Sequence, residues 1–186
     1  MKKKSFVMVL ALVLVFAVAV GGVVAWLTDT TTPVTNTFTV GDINIELTES
    51  ENLDLKIVPG NTITKDPKVT VQPNSEACWL FVKVEKANWN DKLTYTIAGE
   101  NDWILYNENG NIAYYYQKVD ATGATKKEIP VLAGNVVNVS NNLAKGEITA
   151  APTLTFTAAA VQQENITTVE AAFNALPASF TGAVAP

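Results

Sequence analysis

From residue 36 onward the chain is written in a period of two, and no other feature constrains its fold as tightly. Phe38, Val40, Ile43, Ile45 and Leu47 alternate with Thr39, Asp42, Asn44, Glu46 and Thr48. Successive side chains leave a strand on opposite faces, so this alternation predicts a strand with one buried face. Gly41 breaks the phase, as at a bulge or kink. Similar short runs recur at 53–58, 63–71, 79–85, 93–97, 103–106, 112–119, 128–132, 136–139 and 153–161. Turn formers separate them: Pro59-Gly60-Asn61, the run 107–110 that ends in Gly110, and Ala133-Gly134-Asn135. Pro67 marks an edge or an irregular place within its run. Strands at this spacing predict an all-β fold, a two-sheet antiparallel jelly-roll-like sandwich. One short helix stands apart, capped by Thr167 or Thr168 and stopped by Pro177, with Val169, Phe173 and Leu176 on one face. It is expected to pack on the sandwich near the C-terminus, with the last residues as a frayed tail.

The first 25 residues are of another kind. Lys2, Lys3 and Lys4 precede an unbroken apolar run from Phe6 to Val20, then Gly21-Gly22 and Val23-Val24-Ala25. A basic start, an apolar segment and a V-x-A site are the parts of a secretory signal peptide, predicting cleavage between Ala25 and Trp26. The alternative is an uncleaved anchor, since Phe6–Leu27 is long enough to cross a bilayer. Either way the lysines stay on the cytoplasmic side and the remainder is exported. The expected organisation is a signal peptide (1–25), a free Thr-rich arm (26–35) and a sandwich domain (36–186). The whole chain carries 13 basic and 18 acidic residues, a net charge of −5. Loss of the signal lysines makes it more acidic still, which excludes a phosphate-binding surface for nucleic acid. The final residues, 178–186, hold no apolar span and no basic tail. Release, or retention by binding a partner, is therefore expected.

The chemistry of catalysis is thinly represented. The chain has no histidine and one cysteine, Cys78. This removes Ser-His-Asp and Cys-His machinery and HExxH zinc sites, and it allows no intramolecular disulfide. Cys78, between Ala77 and Trp79 before an apolar run, is expected to be a buried small hydrophobe. No glycine-rich phosphate loop is present. The expectation is a protein that is not an enzyme, without catalytic residues, cofactor or metal. A glycosidase-like carboxylate pair stays open on sequence alone. Oxygen-rich stretches at 88–91 and 100–102 offer calcium ligands, although turn chemistry explains Asn and Asp there as well. Tyr114 and Tyr116 share a strand face, either as a glycan-stacking surface or as cross-strand aromatic packing; the second is favoured.

The junction Ala25–Glu49 (AWLTDTTTPVTNTFTVGDINIELTE) resembles the start of the TasA/camelysin family of exported Gram-positive proteins, through Leu27, Asp29, Asn36, Phe38 and Gly41. Val58–Pro67 (VPGNTITKDP) and Phe156–Gln163 (FTAAAVQQ) are similar to further family stretches, while 88–151 matches none. The resemblance implies a jelly-roll domain, cleavage by a dedicated signal peptidase, and polymerisation into biofilm-matrix or cell-surface fibres. In such fibres the N-terminal tail of one subunit fills a strand position in the next. The residues agree with that role: Trp26, Leu27, Thr28, Asp29, Thr30 and Thr31 form an extended arm able to add to a sheet edge. Pro33 would mark its hinge. The partner would be the protein itself or a related matrix subunit. Camelysin is described as a metalloprotease, an activity not carried over to a chain without histidine. The same features are compatible with a fibre-anchoring accessory protein or a carbohydrate-binding module.

Overall fold

The computed structural model describes residues 41–50, 55–99 and 102–182. The signal segment, its cleavage site and the arm lie outside the described residues. Ten strands follow in order: β1 Ile45–Thr48, β2 Thr62–Thr64, β3 Lys68–Val71, β4 Cys78–Ala87, β5 Leu93–Thr94, β6 Ile104–Asn109, β7 Ile112–Val119, β8 Lys127–Pro130, β9 Val136–Val139 and β10 Thr153–Gln162. Two short helices close the described chain, α1 Val169–Asn174 and α2 Ala178–Thr181. The predicted all-β antiparallel sandwich is what forms, with β10-β4-β7-β6 as one four-stranded sheet.

The opposite layer is made of two three-stranded ladders, β1-β3-β8 and β2-β9-β5. They are joined through their breaks. Lys65 N–H donates to the Asn135 carbonyl at 2.8 Å, and Val131 N–H donates to the Pro67 carbonyl at 2.9 Å. Ala98 N–H reaches the Val131 carbonyl, also at 2.9 Å. Pro67 splits the predicted strand 63–71 into β2 and β3 because it has no N–H to give the ladder, yet its carbonyl still accepts. A 3-10 turn at Ala133–Asn135, with Gly134 at φ 64° and Asn135 at φ 54°, makes the matching break between β8 and β9. β1 lies alongside β10, with no ladder between them among the described residues.

β4 shows why a strand can be apolar on both faces. Cys78, Leu80, Val82 and Val84 enter the core between the layers with Val69, Val71, Ile129 and Val131. Trp79 and Phe81 point the other way, onto Ala172, Leu176 and Phe180 of the helical segment. Each such fully buried side chain contributes about 1.5–3 kcal/mol. β10 pairs with β4 over ten residues and sets Ala158, Ala159 and Ala160 opposite Val82, Phe81 and Leu80. Small residues beside large ones let neighbouring strands interdigitate without voids.

Three expectations need correcting. Residues 55–58 form no strand; their neighbours 51–54 lie outside the described residues. The predicted strand 93–97 shortens to β5, followed by a single bridge from Ile97 to Leu132. The expected frayed tail contains α2, which forms because Phe180, only 3% exposed, is buried in the cluster under the helices, 5.8 Å from the Tyr114 ring and beside Lys83.

Candidate functional site

The tyrosine face is built by β7. Tyr114 and Tyr116 leave it on one side and Tyr115 on the other, as alternation requires. That side carries the helices, because Thr168 caps α1 by accepting from the Ala171 N–H at 3.2 Å and Pro177 ends it before α2. Phe173 then stands 5.0 Å from the Tyr114 ring and 4.6 Å from Tyr106. The Tyr114 hydroxyl donates to the Thr181 carbonyl at 3.0 Å. Tyr116 packs on Trp79 and Phe81 at 5.9 and 6.0 Å. Both rings of the candidate glycan-stacking pair are thus half-buried, Tyr114 against Phe173 and Phe180 and Tyr116 against Trp79, Phe81 and Tyr106.

The oxygen-rich loops are held by turn chemistry. Asn88 adopts φ 50° and donates from its side chain to the Ala151 carbonyl. The Asn90 side chain accepts from the Lys92 N–H at 2.9 Å, and Asp91 pairs with Lys92. Asp102 sits at φ 61° and closes a turn on Gly99; Glu100 and Asn101 lie outside the described residues. Other carboxylates are paired as well: Glu128 lies between Lys126 and Lys68, whose hydrogen bonds hold it below the ordinary glutamate value. No group of three or more Cys, Asp or Glu residues is placed to hold a metal ion among the described residues. Cys78 is buried, and desolvation pushes its thiol up to about 11, so it is a poor ligand or nucleophile.

The sheet edges remain. Gly41, Asp42 and Ile43 meet Glu76, Ala77 and Gln162–Glu164 in a cleft of about 650 Å³, so the chain enters the domain on the β10 side. A more apolar cleft of about 280 Å³, lined by Leu55, Ile57, Ile63, Trp89, Leu93 and Leu154, opens elsewhere in the sandwich. At the far side of the four-stranded sheet, β6 pairs with β7 alone among the described residues. Ile104 and Leu105 at its start are about half exposed, 53% and 50%. The sequence predicts a strand at 103–106, which β6 extends through Asn109 so that the turn predicted at 107–110 tightens onto Gly110. It carries no signal of the open edge, which depends on the order of distant strands.

Residues 1–77 match the camelysin metallo-endopeptidase family. The resemblance read from the junction is thereby supported over the first 77 residues, which take in β1 to β3 and end just before β4. No curated protein and no solved structure matches the chain. The metal that the camelysin family name implies does not fit the residues here. A protein zinc centre is built from His, Cys and carboxylate ligands. The chain has no histidine, and its one thiol is buried and held neutral.

Proposed function

We propose that the chain is an exported structural subunit that assembles into extracellular-matrix or cell-surface fibres by donating its N-terminal arm as a strand to a neighbour. The reading rests chiefly on the camelysin-family match, which takes in the leader, the arm and the first strands together. An antiparallel sandwich with unpaired sheet edges is a suitable receiver, since an extended segment gains main-chain hydrogen bonds by adding to such an edge. Signal peptidase would cut between Ala25 and Trp26, freeing Trp26, Leu27, Thr28, Asp29, Thr30 and Thr31 for pairing. The partner is a second copy or a related matrix subunit. Electron microscopy tests the reading: protein beginning at Trp26 forms filaments, and protein beginning at Asn36 stays monomeric. Equal behaviour of the two would remove the arm as the assembly element.

The family name keeps a second reading in view, a metallo-endopeptidase. Casein cleavage by the purified protein, abolished by a chelator and restored by zinc, would establish it despite the unsuitable ligand set.

A further inference from the structure

We infer that the outer edge of β6 is the acceptor for the arm, Trp26–Thr35, of a second copy of this chain. The inference rests on the strand-donation reading and names the surface that reading leaves open. β6 has six residues with no ladder partner on its outer side among the described residues. The other edges are less suited: β5 and β2 are two and three residues long, β8 carries Lys127, Glu128 and Pro130 among its four residues, and β10 and β1 already lie against each other. Open edges are normally guarded by charge or proline, yet β6 begins with two exposed aliphatic residues, Ile104 and Leu105.

Complementarity favours the arm. Ile104 pairs with Tyr116 and Leu105 with Tyr115, so the two aliphatic side chains lie on opposite faces of the sheet. Trp26 and Leu27 are likewise adjacent, and in an extended arm they would cover one face each. Beyond them, Thr28–Thr31 would run beside the polar end of β6, Asn107–Asn109, in a parallel register.

The layout of the sheet is compatible with a contact between copies. The chain enters at Gly41 on the β10 side, whereas β6 is the opposite edge of that four-stranded sheet. Three strand spacings, roughly 14 Å, separate the two edges. A donor segment and an acceptor edge that are different parts of the chain make a heterologous contact, which repeats without closing when its rotation does not return to the start, as in a filament.

Complementation tests the assignment. Chains beginning at Trp26 are prepared unsubstituted and with Ile104→Lys and Leu105→Lys together; a third begins at Asn36. Near-UV circular dichroism of the doubly substituted chain checks its folding. The expected result is filaments from the unsubstituted chain alone. The substituted chain, with arm but no acceptor, and the shortened chain, with acceptor but no arm, each stay monomeric. The same two substitutions on the shortened chain abolish the dimer that it forms with arm-bearing partners. Filaments from the substituted chain equal to those of the unsubstituted one would overturn the β6 assignment and leave strand donation standing. Filaments from the shortened chain would remove strand donation itself, and the β6 assignment with it. Dimers that survive the substitutions on the shortened chain would place the acceptor elsewhere.

Discussion

β4 and β6 lie in the same sheet with only β7 between them, and both begin with an aromatic or aliphatic run. Their fates differ. Cys78 through Val82 are all buried, whereas Tyr106 alone in β6 is even partly covered. β4 has β10 and β7 on its two sides, the core on one face and the helices on the other. β6 has one neighbouring strand among the described residues. Apolar residues therefore specify a strand in both places, but the position in the sheet decides whether they hold the fold or are left available to a partner.

The largest expected effect separates the two directly. Phe81 is fully buried and meets Tyr106, Tyr116 and Phe173 at 6.3, 6.0 and 5.8 Å. Phe81→Ala should lower stability by about 3–5 kcal/mol, since it removes a buried ring and leaves a cavity. Ile104→Ala, on an open edge, should change it by no more than about 0.5 kcal/mol. Urea unfolding of both variants, on the shortened chain that lacks the arm, measures the contrast. Similar losses would mean that β6 is as much a part of the core as β4.

A second, smaller effect concerns the start of β4. Burial raises the Cys78 thiol from 9.0 to about 11. The unfolded chain then gives up its thiol proton first, so this contribution to stability is complete below pH 9.0 and is lost as pH rises toward about 11. The loss is at most about 2–3 kcal/mol. Tyr95, raised by burial to about 12 from 10.0, adds a later alkaline slope, so Cys78→Ala should flatten only the earlier part. A thiol reagent should label Cys78 slowly until the protein unfolds. Rapid labelling of the native protein would show that this end of β4 opens.

The contrast between these strands also marks where sequence reading succeeds. The β4 run is legible because a strand apolar on both faces is distinctive, and Pro67 announces the break between β2 and β3 through its missing N–H. Thr168 and Pro177 bracket α1 as capping rules require. What escaped depends on partners far along the chain. Residues 55–58 resemble a strand in sequence but adopt no strand conformation, and Phe180 anchors α2 only because Tyr114 and the Lys83 ammonium of the distant sheet lie against it. The exposure of Ile104 follows from β6 being last in its sheet, which no local pattern encodes. The shared face of Tyr114 and Tyr116 is readable from alternation, but the helical roof over it is not.

The smallest effect bears on that roof. α1 has six residues, too few to persist by helix propensity alone, so it depends on its cap and on the ring contacts of Phe173. Thr168→Ala removes the oxygen that accepts from the Ala171 N–H and should cost about 1 kcal/mol. Hydrogen exchange should locate the loss: the Ala171 and Ala172 amides exchange faster while the β4–β10 ladder keeps its protection. In that case the helices open as a local unit, and the buried state of β4 rests on its neighbouring strands and inner face. If the amides of Trp79 and Phe81 lose protection in step with Ala171, the roof and β4 open together. β4 would then differ from β6 through its second covered face as much as through its second neighbouring strand.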